Sequence, residues 1–311
     1  MQENRATRDL RGIRVAIARG KRWDLIFGVC GVLALMVGML TFVALFVEMA
    51  VSGVPRLDPD FFTSFPSRRA GDAGILSAWV GSVLVMVVTG TVAVPLGVGA
   101  GIYLEEYARK HWINDLIEIN ITNLAGVPSI VYGLLALGLF VYGFGFGQSI
   151  LSAGLTLALL ILPVVIVATR EAIRSIPQAM REAAFALGAS KWQTVRDHIV
   201  PYSMPGILTG VIIGLARAIG ETAPIITIGA LTFIAFLPDS PFSGTFPYVN
   251  FDWISSPFTV MPIQMFNWTS RPQAEFQANA AAAGFVLVAM TLAMNALAIW
   301  LRYRLRKNIK W

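Results

Sequence analysis

The chain has 311 residues, of which 56% are hydrophobic and 14% are charged, and its net charge is +6. Soluble domains carry charge on about a quarter of their residues, so this composition excludes intrinsic disorder and favours a protein embedded in a lipid bilayer. The single cysteine, Cys30, excludes an internal disulfide framework and a CxxC metal site. With only two histidines in the chain, we predict no bound metal and no cofactor.

Six stretches are apolar over the roughly 20 residues that a membrane-spanning helix needs. The first is too long for the apolar region of a signal peptide, and no small-residue cleavage site follows it promptly, so we interpret it as a retained span. The sequence therefore predicts an all-α integral membrane protein. It comprises a basic N-terminal arm at 1–24, a six-span domain at 25–301 and a basic tail at 302–311. The predicted spans are residues 25–47, 75–104, 120–143, 149–169, 205–235 and 278–301.

The lysines and arginines are distributed unequally between the connections. If both termini are placed inside, the inner connections hold 19 of these residues and the outer connections hold four. The positive-inside rule then predicts that both termini and the 170–204 loop are cytoplasmic. The basic net charge is explained by this topology, without nucleic acid. The external 236–277 loop holds six prolines and ten aromatic residues, which predicts an ordered cap or a partly embedded segment.

Two charged residues lie within the fifth predicted span. Arg217 and Glu221 are four residues apart, so they share a helix face and can pair. Gly210 and Gly214 extend this stripe and allow another helix to approach closely. The two charges form either a structural ion pair or part of a ligand pathway, and intramembrane charges favour the pathway. The planar guanidinium suits oxyanions, while Glu221 either holds Arg217 in place or accepts a proton.

Polar residues also lie in or beside the third and fourth spans. Asn123, Ser129 and Tyr132 need polar partners within the third span, and Pro128 is expected to kink it. Hydrogen bonding between helices and contact with a substrate both account for them. Arg170, at the end of the fourth span, is either an anchor at the membrane surface or a ligand.

The 170–204 loop is predicted to be a helix, a bend and a second helix. Pro177 suits the first turn of a helix, and residues 178–187 are good helix formers. Gly188 suits a sharp bend, and residues 190–199 predict a second short helix before Pro201. The hairpin is either a docking site for a partner or an ordinary surface feature.

Within this loop, Glu182-Ala183-Ala184, then Gly188, then Pro201 resembles the EAA loop of ATP-binding-cassette importer permeases. The chain departs from the family pattern at His198 and Val200, where the family has Ile and Leu. The resemblance implies the type I, MetI-like fold of six transmembrane helices. It also implies that the loop docks on a separate ATPase subunit and transmits its closure.

Two further runs resemble phosphate importer permeases: Asn123 to Gly133, and Arg217 to Pro224. The run Phe258 to Pro272 resembles the PstA-type subunit rather than the PstC-type. The resemblance implies that the substrate path includes Arg217, Glu221 and Thr222. It further implies an assembly in the bacterial inner membrane with a PstC-type permease, two ATPase subunits and an external phosphate-binding protein.

ATP hydrolysis is not expected from this chain. Its only Gly-Lys pair, Gly20-Lys21, lacks the upstream glycine of a Walker A motif, so we predict a permease subunit and not an enzyme. A standalone secondary transporter or channel would share the spans and the ion pair but would not need the 170–204 hairpin. An intramembrane hydrolase would need a nucleophile–base or metal constellation, and neither histidine lies in a predicted span.

Overall fold

A computed structural model describes residues 2–109, 111–242, 248 and 250–306, except for the side chains of residues 2–16, 18, 305 and 306. The described part is helical and contains no strand. The chain divides into a unit of residues 1–51 and a larger unit of residues 52–311. The last five residues of the predicted basic tail lie outside the described residues.

The described residues up to Arg174 form six α-helices. Helix α1 (Gln2–Gly53) is unbroken, so no break marks the predicted end of the arm at residue 24. The short α2 (Pro59–Thr63) precedes α3 (Leu76–Ile102), which continues into a π-helical turn at Tyr103–Tyr107. Next come α4 (Trp112–Leu124), α5 (Ser129–Ala136) with a π-helical extension to Gly143, and α6 (Ile150–Arg174).

The second half begins with the 170–204 region. Helices α7 (Gln178–Ala186) and α8 (Lys191–Thr194) follow the end of α6, and a π-helical segment at Val195–Ile199 joins α8 to α9 (Val200–Ile219). After α9 come α10 (Ala223–Ile228), α11 (Met261–Thr269) and α12 (Glu275–Arg306). Among the described residues, five helices are long and apolar enough to cross a membrane, and a bent pair makes a sixth.

The bent pair corresponds to the third predicted span. The axes of α4 and the Ser129–Gly143 segment differ by 108°, so residues 120–143 do not form one straight helix. In a continuous helix Pro128 would have to donate to the carbonyl of Leu124, and it has no N–H. The expected kink at Pro128 is therefore a full change of direction.

The fifth predicted span, 205–235, is also divided. Its helix starts earlier than predicted, at Lys191, and ends at Ile219. Pro224 lacks the N–H that would bond the carbonyl of Gly220 in a continuous helix, so the chain breaks and restarts as α10. Helix α10 ends at Ile228 and is capped by Gly229, whose φ of +97° is favourable only for glycine.

Glycines bring the central helices α3, α6 and α9 together. A Cβ at Gly97 of α3 would lie 2.7 Å from Val165 of α6, and one at Gly101 would lie 2.6 Å from Thr169. A Cβ at Gly210 of α9 would likewise collide with Ala168 of α6. The close approach predicted from the glycine stripe of the fifth span is thus observed, and α6 is the helix that approaches.

The described residues of the 236–277 loop are partly buried within the protein. Helix α11 packs between α3 and α12, with Met261 and Trp268 fully buried in a cluster that includes Phe61. The backbone N–H of Met261 donates to Oγ of Ser82 on α3 at 2.8 Å. The loop therefore places α11 against the start of α3, at the opposite end of α3 from its π-helical turn.

Candidate functional site

The ion pair predicted from spacing is present at the break after α9. Nε of Arg217 donates to Oε1 of Glu221 at 3.3 Å. The Arg217 side chain is 40% exposed and that of Glu221 is 18% exposed. Glu221 is not on the helix itself, because α9 ends at Ile219, and its N–H bonds the carbonyl of Ala218 at 3.2 Å. The pair therefore spans a helix end rather than a continuous helix face.

Thr222 begins the next helix through its backbone. Its carbonyl accepts from the N–H groups of Ile225 and Ile226 at 3.1 and 3.0 Å, and its side chain makes no capping hydrogen bond. Thr222 also borders a groove of mostly apolar residues between α10, α11 and α12. Thr222 and Glu221 therefore both lie in the short connection between the end of α9 and the start of α10.

A small cavity lies beside Glu221. Its volume is about 10 Å³, which is room for one water molecule. Two polar side chains, those of Glu221 and Ser82, line it. The rest of the lining consists of apolar residues of α3, α6, α9 and α10 and of Val260. Glu221 is the charged side chain in this lining, whereas Arg217, the more exposed member of the pair, lies outside it.

Helix α5 lies directly against the start of α10. A Cβ at Gly133 would collide with Oγ1 of Thr227 and would lie 2.7 Å from Cα of Pro224. The structure therefore brings the third-span motif next to the fifth-span break, although 84 residues separate Gly133 from Arg217. Ser129, half-buried at the start of α5, is on this helix.

Tyr132 has a structural partner. Its hydroxyl donates to the carbonyl of Leu124 at 2.8 Å, and the side chain is buried. Leu124 is the residue whose carbonyl Pro128 cannot bond. This hydrogen bond is one of the two roles that the sequence left open, and it fastens α4 to α5 across the bend. Asn123, by contrast, is exposed near the end of α4.

Arg170 is buried and paired with two carboxylates. The residue is 8% exposed and lies inside α6, which continues to Arg174 rather than ending at residue 169. Its Nη2 lies 2.8 Å from Oε2 of Glu118 on α4, and its Nε lies 3.4 Å from Oε2 of Glu105. Because both sides of the guanidinium are occupied by carboxylates, Arg170 connects helices in this structure.

The predicted hairpin is observed, with one difference at its second arm. Gly188 has φ +85°, and it makes the bend between α7 and α8. Ala184 is buried, whereas Glu182 and Ala183 are exposed on α7. The second arm does not end before Pro201, because the π-helical segment carries it directly into α9, and Pro201 lies in the first turn of that helix.

The bend presents three large apolar side chains to the surroundings. Leu187 is 90% exposed, Trp192 is 61% exposed and Phe185 is 48% exposed. The helix after the bend starts with a capping box. Oγ of Ser190 accepts from the Gln193 N–H, and Oε1 of Gln193 accepts from the Ser190 N–H. A rigid hairpin tip with exposed apolar residues has the character of a docking surface.

Sequence reasoning missed the contacts that reach across the bundle. Ser82, Gly133, Glu105 and Glu106 did not stand out, because their partners lie 65 or more residues away in the chain. Two signals were available. Glu105 and Glu106 are adjacent acids directly after an uncharged span, and the four arginines on the 170–204 loop had no assigned counter-charge.

Three comparisons relate this chain to known proteins. The family described as binding-protein-dependent transport system inner membrane component matches residues 93–311. The probable ABC transporter permease protein YqgI of Bacillus subtilis (strain 168) is 33% identical over 290 residues, which cover 91% of this chain and 95% of that protein. The phosphate transport system permease protein PstA of Yersinia pestis is 31% identical over 270 residues, covering 85% of this chain and 84% of that protein.

A solved structure has the same fold. An inward-facing MetNI methionine ABC transporter matches with a TM-score of 0.57, covering 74% of this chain and 95% of that chain at 16% identity. At this identity the likeness concerns the fold, which is the MetI-like fold expected from the sequence.

Proposed function

Because the chain belongs to the family of binding-protein-dependent transport system inner membrane components, we propose that it is the PstA-type permease subunit of an ATP-driven inorganic phosphate importer. It forms half of the translocation path in a bacterial inner membrane. A PstC-type permease supplies the other half, two ATPase subunits supply the energy, and an external phosphate-binding protein delivers the substrate. The chain itself catalyses no reaction.

The observation that carries the proposal is the Arg217–Glu221 pair at the helix break. Only Nε of Arg217 is bonded to Glu221, and Nη1 and Nη2 have no partner among the residues that the structure describes. Two free, parallel N–H donors suit the oxygen atoms of phosphate. In a membrane the charge is weakly screened, so it attracts an anion more strongly than an exposed surface arginine does.

The size of the site supports a path shared between two subunits. The cavity beside Glu221 has room for about one water molecule, so this cavity does not enclose a phosphate ion. The side chain of Arg217 is 40% exposed. The same helix also carries exposed apolar residues such as Ile213. A second permease that covers this face would complete the enclosure around the arginine.

The hairpin supports energy coupling to another chain. The sequence has no Walker A motif, and the tip at Phe185, Leu187 and Trp192 is apolar and exposed. Leu187 is 90% exposed, and exposure of its apolar surface to water is unfavourable unless a partner covers it. We assign this tip to contact with the ATPase subunit.

Phosphate uptake by the reconstituted complex tests the role of Arg217. Arg217→Gln removes the charge and the two donors, and we expect uptake to be abolished while the complex still assembles. The matched control is Arg304→Gln, which removes an arginine stacked on Trp300 near the end of α12 and is expected to leave uptake intact. Wild-type uptake by an assembled Arg217→Gln complex would mean that the pair is only structural.

The double variant Arg217→Gln with Glu221→Gln separates two explanations for a loss of uptake. If the loss came from an unpaired Glu221 that repels the anion, the double variant would recover uptake. If Arg217 itself attracts phosphate, the double variant stays inactive. We expect the second result.

A further inference from the structure

The first arm of the hairpin is attached to the membrane helices through Arg181. Arg181 on α7 donates from Nη2 and Nε to Oε1 of Glu106 at 2.7 and 3.0 Å. Its Nη1 also donates to the carbonyl of Ile176 at 2.9 Å, and its Nη2 to that of Ile173 at 3.2 Å. The side chains of Arg181 and Glu106 are 14% and 9% exposed. One guanidinium therefore bridges α7, the end of α6 and the π-helical turn after α3.

This bridge crosses the most obvious hinge in the region. Only three residues, 175–177, join α6 to α7. Without a side-chain bridge, a displacement of α7 could be absorbed by rotation about this connection. Because Arg181 holds the carbonyl of Ile173 before the connection, that of Ile176 within it and also Glu106, rotation of α7 requires several charge-assisted hydrogen bonds to break together.

The second arm of the hairpin contacts the same turn. Nζ of Lys191 on α8 lies 5.2 Å from the centre of the Tyr107 ring, a cation–π contact. Both arms of the hairpin are thus attached to the Tyr103–Tyr107 segment, one through Glu106 and one through Tyr107. A π-helical turn presents its side chains differently from an α-helix and is frequent at functional positions.

The turn is itself tied to α6 and α4. Glu105 accepts from Arg174 at 3.1 and 3.2 Å and from Arg170 at 3.4 Å. Arg170 also pairs with Glu118 of α4. Since Gly97 and Gly101 of α3 lie against the backbone and side chains of α6, the end of α3 and α6 are expected to move as one body.

From this body the contacts continue to the ion pair of the candidate site. Gly206, Gly210 and Gly214 of α9 face Ala172, Ala168 and Ile161 of α6. The same helix α9 carries Arg217 near its end. A contiguous series of packed groups therefore joins the hairpin to Arg217, through α6.

We propose that Arg181 and Glu106 are positioning residues for transport. Their pair locks α7 onto the α3–α6 body, so that an ATPase-driven displacement of the hairpin moves α3 and α6 together with α9, which continues directly from the second arm, instead of being lost at the 175–177 connection. This inference rests on the proposed function, because it assumes that a partner moves the hairpin. It assigns a transport role to Glu106 and the turn after α3, outside the hairpin itself.

The test measures phosphate transported per ATP hydrolysed by the reconstituted complex. Glu106→Gln keeps an acceptor but removes the charge. We expect the ATPase subunits to remain bound and ATP hydrolysis to persist, while the transport-to-hydrolysis ratio falls by about fivefold or more, as for a typical coupling free energy. The matched control is Glu171→Gln, because Glu171 forms an exposed ion pair with Arg174 in the same region. It is expected to keep the wild-type ratio.

A second variant covers the case in which Glu106→Gln does not assemble. Arg181→Lys retains the charge but loses the fork that holds Glu106 and two carbonyls at once, and it is expected to lower the ratio as well. A wild-type ratio in either assembled variant, even with a lower melting temperature, would overturn the inference and leave the pair a purely structural one. Absence of phosphate uptake by the wild-type complex would instead contradict the proposed function.

Discussion

At the scale of single residues, Gly133 determines how closely the two halves of the candidate site approach. Any side chain there meets Thr227 and Pro224 on α10. The atoms of Pro224 that it meets belong to the backbone at the start of α10, and backbone atoms cannot move away easily. Gly133 is thus required by its surroundings rather than by its own backbone conformation.

We predict that Gly133→Ala destabilises the protein by about 1–3 kcal/mol, as expected for overpacking. The measurement is the thermal unfolding midpoint of the purified complex in detergent. Gly138→Ala is the matched control, because it lies on the same helical segment and has no neighbour within 4 Å of the added Cβ. Equal midpoints for the two variants would contradict the close packing of α5 on α10.

Tyr132 gives a second prediction at this scale. Tyr132→Phe removes the hydrogen bond to the Leu124 carbonyl, and we expect a loss of about 0.5–1.5 kcal/mol of stability together with faster hydrogen exchange in α4. Tyr142→Phe is the control, since Tyr142 is 73% exposed. If Tyr132→Phe abolished uptake without either effect, Tyr132 would be a substrate contact instead.

The charged residues show what can be foreseen from sequence. The pairing of Arg217 with Glu221 followed from a spacing of four residues, and it is confirmed. The role of Arg170 did not follow, because its partners Glu105 and Glu118 come from other helices. Local spacing predicts local pairs, whereas a buried network between helices depends on packing that a sequence pattern does not contain.

At the scale of elements, proline positions explain where the predicted spans differ from the observed helices. Spans two, four and six are continuous helices, as predicted. Spans three and five both break at a proline, Pro128 and Pro224, and apolar composition alone does not reveal such breaks. In each case a residue of the candidate site, Tyr132 or Glu221, lies next to the break.

The bend of the hairpin depends on a backbone conformation. Gly188 has φ +85° and no neighbour within 4 Å of a Cβ, so a larger side chain there is opposed by the backbone and not by packing. We predict that Gly188→Val, which costs about 1–2 kcal/mol in a left-handed conformation, lowers ATPase copurification and uptake. Gly188→Asn, a residue that tolerates this conformation, should retain both. Full coupling in the valine variant would exclude a role for the bend.

The exposed tip of the hairpin can be tested independently. Leu187 is 90% exposed, so it makes almost no contact within this chain. Leu187→Glu would remove its apolar contact with the ATPase subunit, so we expect loss of ATPase copurification with an unchanged melting temperature of the permease. The control is Leu237→Glu, at a leucine that is 43% exposed in the 236–277 loop. Retention of the ATPase by Leu187→Glu would place the docking surface elsewhere.

At the scale of the whole molecule, the orientation remains a prediction from the 19-to-four distribution of basic residues. After replacement of Cys30 by serine, we expect an impermeant thiol reagent to label Arg68→Cys in intact cells but not Ala186→Cys. Both positions are exposed in this chain, so labelling after membrane disruption provides the control. Labelling of Ala186→Cys in sealed cells would reverse the orientation.

The account depends most directly on whether this chain moves phosphate at the expense of ATP hydrolysed by a partner. The decisive measurement is the uptake of radiolabelled phosphate by proteoliposomes that contain the chain with its partner permease, ATPase subunits and binding protein. We predict uptake that requires both ATP and the ATPase subunits and that stops in the Arg217→Gln variant. Uptake that persists without the ATPase subunits, or ATP-driven uptake of another solute but not of phosphate, would contradict the account.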